Sequence, residues 1–182
     1  MMFLKHDYLV IRSATAYDAE LFCKWWNNGK IMAHAGYPNG LGITKEEILK
    51  KLETDNDLNH RLVLEIAAVP VGEMNYRTVE NNVAEIGIKI CDFSQQEKGY
   101  GTTFLMMLIN ALFNEMGYYK IVLDTNVNNT RAQHVYEKIG FRKMAVHHNS
   151  WRNQLGELQS SIDYELTRNQ FNNVLISSEE NL

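Results

Sequence analysis

Two glycines, Gly99 and Gly101, lie one residue apart in QQEKGYGT (95–102), between a strand-like run and a helix-like run. Glycine permits backbone shapes and close approaches that a side chain prevents. The first N–H groups of a helix have no partner inside the helix, and the helix dipole adds positive charge at that end. A strand, a glycine turn and a helix N-terminus together therefore predict an anion site, and phosphate is the natural ligand.

The residues around these glycines narrow the kind of phosphate site. The P-loop pattern GxxxxGK[ST] is absent from the sequence. The dinucleotide pattern GxGxxG is absent as well, because Thr102, Thr103 and Phe104 follow Gly101. On this stretch alone, a simple turn before a helix remains the alternative to a phosphate site.

A second stretch, NTRAQHVYEKIGF (129–141), combines residue types that can contact a ligand. Asn129, Ala132 and Tyr136 recur at spacings of three and four, so a helix places them on one face. That face carries a polar cap, a small residue and a phenol, which leaves room for a molecule to lie against the helix. The alternative is a packed helix with its tyrosine hydroxyl at the surface.

The surrounding elements predict a single α/β domain over residues 8–168, followed by a polar tail at 169–182. Periodicity and cap signals predict strands at 8–12, 61–69, 71–79, 83–90, 120–125, 141–148 and 159–167, and helices at 15–26, 44–53, 102–116 and 129–139. A meander followed by βαβαβ predicts one twisted mixed sheet of about six to seven strands with helices on both faces.

Composition excludes several classes of protein. The chain has 182 residues, 45% hydrophobic residues and a net charge of -4, so no basic footprint indicates nucleic acid. No apolar run approaches the ~20 residues that span a bilayer, and the apolar part of MMFLKHDYLVIRS (1–13) is too short for a signal peptide.

The cysteines and histidines give two further expectations. Cys23 and Cys91 are predicted to be buried thiols, which favours the cytoplasm. His147 and His148 point to opposite faces of a strand, so we predict no metal.

The two cofactor-like stretches resemble segments of the GNAT superfamily of N-acetyltransferases. Q-x-x-G-x-G at 96–101 resembles its acetyl-CoA pyrophosphate loop, and N-x-x-A-x-x-x-Y-x-x-x-G-F at 129–141 resembles its second cofactor helix. EIGIKI (85–90) resembles its central cofactor-binding strand. WWNNGKIMAHAGYP (25–38) and GEMNYR (72–77) are similar to the RimJ/RimL-like branch.

This resemblance implies the GNAT fold, with acetyl-CoA as co-substrate and direct attack by an amine in a ternary complex. It implies that Tyr136 is the general acid for the leaving thiolate and that the sheet splays near Gly87. The implied cofactor-binding residues are Ile88, Lys89, Ile90, Gln96, Glu97, Lys98, Gly99, Tyr100, Gly101, Thr102, Asn129, Ala132 and Tyr136.

Two carboxylates are candidates for the general base. Glu85 and Glu73 lie on adjacent predicted strands, and either can reach an amine directly or through water. Each can instead lie on a solvated strand face or in a salt bridge with Lys89 or Arg77.

The long loop at 27–43 carries four glycines and a proline, and we expect it to lie over the substrate cleft. Trp26, His34 and Tyr37 are the substrate-binding candidates there. Core packing of the tryptophan and an ordinary loop histidine are the alternatives.

The acceptor amine stays open between a protein N-terminal amine and a small amine such as a polyamine, an amino acid or an aminoglycoside. A non-catalytic acyl-CoA-binding or sensing module is the alternative function, which Tyr136 at the acid position disfavours. A Rossmann-type nucleotide-binding protein is disfavoured by the missing third glycine and by the meander. The oligomeric state is also open, with a homodimer among the options.

Overall fold

Eight strands form one mixed sheet with helices on both faces in the computed structural model, which describes residues 1–53 and 59–172. The strands are β1 (Phe3–His6), β2 (Leu9–Ser13), β3 (His60–Ile66), β4 (Val69–Glu80), β5 (Val83–Ile90), β6 (Lys120–Asn126), β7 (Arg142–Arg152) and β8 (Leu158–Thr167). The helices are α1 (Ala19–Trp26), α2 (Gly29–Met32), α3 (Lys45–Glu53), α4 (Tyr100–Asn110) and α5 (Thr130–Ile139). The mixed α/β architecture predicted from the sequence is confirmed, with one strand more than expected.

The strand order is β1-β2-β3-β4-β5-β6-β8-β7, and the sheet is antiparallel except between β5 and β6. The parallel pairing of β5 with β6 lasts for only three residues, from Val83 opposite Lys120 to Glu85 opposite Val122. Beyond Glu85 the two strands separate. The sheet therefore splays beside Gly87, as the resemblance implies.

Strand alternation divides the apolar side chains between two cores. Along β3, Leu62 and Leu64 belong to the core that contains α4 and α5, whereas Val63 belongs to the core that contains α1 and α3. The sheet is thus covered on both faces, and the cleft between β5 and β6 opens through its middle.

Local signals start and end α3 and α5 close to where the sequence predicts. Ahead of α3, the backbone N–H of Glu47 donates to Thr44 Oγ1 at 3.2 Å and the Thr44 N–H donates to the Glu47 carboxylate at 2.8 Å, which is a capping box. At the start of α5, the Asn129 side chain accepts from the N–H of Ala132 at 3.3 Å. The same helix ends at Gly140, whose φ of 105° is left-handed.

Several segments differ from the sequence prediction. The helix predicted over 102–116 begins at Tyr100, and its last part, Ala111–Glu115, is a π-helix that continues α4. The short edge strand β1 was not predicted, and the loop at 27–43 contains α2 and a 3₁₀ turn at Ala33–Ala35. In the tail, Phe171 is fully buried, with its ring centroid 5.7 Å from that of Phe113, so the core reaches past residue 168. Residues 173–182 lie outside the described part of the chain. No helix within residues 1–53 and 59–172 is long and apolar enough to cross a membrane.

Candidate active site

A cavity of about 860 Å³ lies where β5 and β6 separate. Its wall is continuous from the N-terminus of α4, along β5 and α5, to α2 and the far end of β7. One space therefore connects the predicted phosphate loop with the segment at 27–43.

The loop before α4 exposes backbone N–H groups at one end of this cavity. Gly99 caps the helix with a left-handed φ of 82°, and the first N–H bonded within this turn is that of Thr103, which donates to the Gly99 carbonyl at 3.1 Å. The Gln96 side chain donates to the Ile90 carbonyl at 2.8 Å and so fixes the loop to the end of β5. The N–H groups of Tyr100, Gly101 and Thr102 are left for a ligand.

The two glycines of this loop are needed for different reasons. Gly99 has a backbone conformation that residues with side chains rarely adopt. Gly101 does not, and a Cβ added there would meet only Ile90 Cγ1, at an ordinary contact distance of 3.8 Å. No neighbour of Gly101 among residues 1–53 and 59–172 requires glycine at this position, whereas a phosphate lying on the helix N-terminus would.

The edge of β5 from Ile86 to Ile90 has no strand partner on the β6 side. Ile88, Lys89 and Ile90 line the cavity along this edge, and Asn129 and Ala132 line it from α5. An extended chain with amide groups can hydrogen-bond to such an edge as an added strand does. Together with the phosphate loop, this slot fits the pyrophosphate and pantetheine arm of CoA.

Tyr136 lies on the cavity wall and is only 6% exposed. Its ring packs against Phe141 and Tyr164, with ring centroids 5.9 and 5.7 Å apart. Burial, and then the nearby Asp124 and Tyr164, raise the pKa of Tyr136 to about 12. The phenol therefore stays protonated at neutral pH, which is the state that a proton donor requires.

Glu73 lines the same cavity but is already engaged by two donors. Its carboxylate accepts from the Trp26 indole N–H at 3.0 Å and from Lys89 Nζ at 2.7 Å, and the residue is 5% exposed. Burial, and then Glu73, raise the pKa of the Cys91 thiol far above its usual range. Cys91 is therefore an inert thiol rather than a nucleophile.

Glu85 lies outside the cavity wall and forms a two-point ion pair with Arg77, with both nitrogen–oxygen distances at 2.9 Å. Both predicted base candidates thus lie in cross-strand salt bridges. These are the pairings with Lys89 and Arg77 that the sequence left open.

Asp124 is a third carboxylate, and unlike Glu85 it lies on the cavity wall; it is not among the residues predicted from the sequence. It is solvent-exposed at the end of β6 and, among residues 1–53 and 59–172, forms no salt bridge. The surrounding protein partly removes the Asp124 carboxyl group from water, which raises its pKa above the ordinary value. The negative charges of Glu85 and Asp163 raise it further. The signal in the sequence was a carboxylate interrupting the buried apolar run KIVLDT (120–125).

The cavity wall includes some of the predicted contact residues and leaves others out. His34 lines the end of the cavity beside α2 and Trp151, which we call the acceptor end. Trp26 is buried beside Glu73, and Tyr37 lies outside the wall. On the cofactor side, Gln96, Glu97, Gly99, Gly101 and Thr102 line the cavity, but Lys98 and Tyr100 do not. The acceptor end also contains residues that were not predicted, which are Lys30, Asn75, Trp151 and Ser161.

Within the described residues, His147 and His148 do not form a metal site. His147 Nε2 lies 2.7 Å from the Asp163 carboxylate in an exposed pair. No three His, Cys, Asp or Glu side chains within residues 1–53 and 59–172 come together as metal ligands would.

Comparison with known protein families identifies the family of this chain. The sequence matches the profile of the acetyltransferase (GNAT) domain over residues 8–142. The chain belongs to the GNAT acetyltransferase family. It therefore has the GNAT fold and is an acyltransferase.

Known GNAT relatives act on different amines. The chain is 24% identical to the aminoglycoside N(6')-acetyltransferase type 1 of Klebsiella pneumoniae over 156 residues, which cover 78% of this chain and 77% of that protein. Its fold is similar to spermidine N-acetyltransferase from Vibrio cholerae in complex with CoA and spermine, with a TM-score of 0.79 and 22% identity over 91% of this chain and 99% of that one.

The fold is equally similar to RimL, a ribosomal-protein alpha-N-acetyltransferase in complex with coenzyme A. The TM-score is 0.81 at 15% identity, over 91% of this chain and 98% of that one. Because spermidine and aminoglycoside enzymes appear beside RimL, these similarities single out no branch of the GNAT family, and RimJ/RimL-like membership stays a hypothesis.

Proposed function

We propose that this protein transfers the acetyl group of acetyl-CoA to a primary amine of a small cationic molecule, by direct attack in a ternary complex. The observation that carries the proposal is the cavity of about 860 Å³ between β5 and β6. That space is lined by the N-terminus of α4, the β5 edge beyond its pairing with β6, the protonated phenol of Tyr136 and the Asp124 carboxylate, which forms no salt bridge within the described part of the chain.

Acetyl-CoA supplies the reactive thioester. In the proposal, the N-terminus of α4 holds the pyrophosphate, and the free edge of β5 holds the pantetheine arm. A β5 N–H between Ile88 and Ile90 donates to the acetyl oxygen as it becomes negative. Tyr136 donates its proton to the sulfur as the carbon–sulfur bond breaks.

The attacking amine must first lose a proton, because a lysine-type ammonium has a pKa near ~10.4. We propose Asp124 for this step in preference to Glu73 and Glu85, because ion pairs occupy both of those carboxylates. Its raised pKa makes Asp124 a stronger base than an ordinary aspartate. The amine gives its proton to this carboxylate, directly or through one water molecule.

The acceptor end of the cavity favours a small amine over a polypeptide. The segment at 29–40, which contains α2 and which we call the roof, covers this end of the cavity. Gln154, in the turn between β7 and β8, hydrogen-bonds to the roof. Asp124 adds a negative charge that attracts a cation. A protein N-terminal amine, as the RimJ/RimL-like hypothesis requires, is the second candidate, and the similarity to RimL supports it.

An acceptor panel tests this proposal. Purified protein is incubated with acetyl-CoA and, separately, spermidine, kanamycin, a free amino acid or a short peptide with a free N-terminus. Thiol release and product mass are followed, with Tyr136→Phe as the matched control.

We expect acetylation of one or both small cations and little of the peptide. Acetylation of the peptide alone would establish the second candidate. CoA binding without acetylation of any amine would favour the non-catalytic acyl-CoA-binding module.

We also propose a cytoplasmic location. Two free cysteines, Cys23 and Cys91, agree with a reducing compartment.

A further inference from the structure

The turn between β7 and β8 holds the roof of the acceptor end in place through one residue. The backbone N–H of Gln154 donates to the Gly36 carbonyl at 2.8 Å. Its side-chain oxygen accepts from the Asn39 N–H at 3.0 Å, and its side-chain nitrogen donates to the Gly40 carbonyl at 2.9 Å. Three hydrogen bonds thus join segments more than a hundred residues apart in the chain and fix the position of this wall.

Trp151 contacts the same part of the roof as Gln154, because both residues meet Gly36. Its six-membered ring packs so tightly on Gly36 that an added Cβ would lie 2.5 Å from ring carbon Cζ3. Gly36 also has a left-handed φ of 93°, so a side chain there is disfavoured twice. The absence of a side chain at Gly36 therefore makes the space that the indole ring occupies.

Core packing does not account for this tryptophan. Trp25 and Trp26 belong to the core beneath α1 and α3, whereas Trp151 belongs to neither hydrophobic core. It lies on β7, a strand that is exposed along most of its length. Of the three tryptophans, it alone lines the cavity.

An indole ring at the acceptor end of the cavity is suited to binding a cation. An indole face attracts cations, and it does so more strongly than the ring of phenylalanine or tyrosine. Asp124 and Ser161 contribute to the same cavity from β6 and β8. Until it takes the proton of the attacking amine, the Asp124 carboxylate can balance a positive charge, and the Ser161 hydroxyl can accept a hydrogen bond from an ammonium group.

We propose that Trp151 binds a second cationic group of the acceptor, one that is not acetylated; this rests on the proposed acetyltransferase function. The attacking nitrogen must be neutral when it reacts, so a cation-binding ring gains nothing from it at that moment. A second ammonium stays charged throughout. The acceptor that this end selects is therefore a diamine or a larger polyamine-like cation rather than a monoamine.

Kinetics with a matched pair of amines test the assignment. Acetylation of 1,4-diaminobutane and of n-butylamine is measured for the wild type, Trp151→Leu and Trp151→Phe. We expect Trp151→Leu to lower kcat/KM for the diamine by about 2- to 30-fold, mainly through KM, because a cation–π contact is lost. The monoamine and the KM for acetyl-CoA should hardly change, and Trp151→Phe should keep most of the preference.

Met144→Ala is the matched control, because Met144 is an exposed apolar residue of β7 outside the cavity wall. It should leave both amines unchanged. If Trp151→Leu lowers kcat/KM equally for the two amines, or changes neither, the assignment is overturned.

Binding without turnover separates this inference from the proposed function. Spermidine is titrated calorimetrically into protein saturated with CoA, where no acetyl group is present. Binding that is weakened in Trp151→Leu supports the inference even if no amine is acetylated, in which case only the proposed function fails. Turnover of diamines with unchanged spermidine binding in the variant would overturn the inference and leave the function standing.

Discussion

Replacing Gly101 with alanine should stabilise the fold and weaken CoA binding at the same time. The added methyl group would meet only Ile90 Cγ1, at 3.8 Å, and the backbone at 101 has no left-handed φ. Alanine is favoured over glycine within a helix by about 0.5–1 kcal/mol. For a protein of this size, that gain raises Tm by about 1–4 °C.

The effect on CoA has the opposite sign. The methyl group would occupy the space through which a phosphate reaches the N-terminus of α4. Loss of one hydrogen bond to a charged group weakens binding by about 1.5–3 kcal/mol, or about 10- to 150-fold in Kd. We therefore expect Gly101→Ala to melt later than the wild type and to bind CoA much more weakly.

Calorimetric titration with CoA and thermal melts of the free protein measure the two effects. Gly117→Ala is the control, because Gly117 has a left-handed φ of 79° past the other end of α4, outside the cavity wall. That change should lower Tm through backbone strain of about 1–2 kcal/mol and leave the Kd unchanged. Wild-type affinity for CoA in Gly101→Ala would refute the assignment of this loop to the pyrophosphate.

Three further variants test the rest of the site. Tyr136→Phe should lower kcat by about 100-fold or more and leave the Kd for CoA unchanged, because only the donated proton is lost; unchanged kcat would remove Tyr136 from the mechanism. Glu73→Gln should lower the free energy of unfolding in urea by about 1–3 kcal/mol, since Lys89 loses its buried charged partner; wild-type stability would show that this ion pair contributes nothing. Asp124→Asn should slow turnover and raise Tm at pH 7, because a carboxyl group whose pKa is raised on folding favours the folded state only while it is neutral. That difference in Tm should disappear as the pH falls below the ordinary value of 3.8, and a difference independent of pH would contradict the assigned cause.

The cofactor half of the site could be predicted because its signals are local in the sequence. Gly99 and Gly101 act at one helix start, and Asn129 caps the next helix through its own neighbour Ala132. Such signals need only a few adjacent residues to be read. The same locality explains why the limits of α3 and α5 match the prediction closely.

Apart from His34 and the loop at 27–43, the acceptor half could not be predicted because distant segments build it. Trp151 and Gln154 contact Gly36 and Asn39 across more than a hundred residues of sequence, and no local spacing indicates that contact. The four-residue helix α2 is too short to show periodicity and is held by its neighbours. The β1 strand is equally short and pairs only with β2 at the edge of the sheet.

The roles of the two predicted base candidates depended on strand register, which the sequence did not reveal. In the sheet, Glu73 lies directly opposite Lys89, and Arg77 lies directly opposite Glu85. Cross-strand neighbours of opposite charge attract each other, so each carboxylate is neutralised by its own ladder partner. Asp124 has Asp163 as its partner instead, and a pair of like charges leaves it available to a cationic substrate.

The width of the cleft is set by the strands on either side of it rather than by its ligand. β5 stays paired with β4 as far as Ile90 opposite Gly72, well beyond the point where it leaves β6. β6 stays paired with β8 as far as Asn126 opposite Ser161. Both walls are therefore held by antiparallel ladders along the cleft, and the backbone groups of β5 that face the gap have no strand partner among the described residues. Buried backbone groups without partners are unfavourable, so this gap is stable because water or an extended ligand can bond to them. A pantetheine arm that supplies amide groups to the β5 edge would complete the sheet without moving either wall.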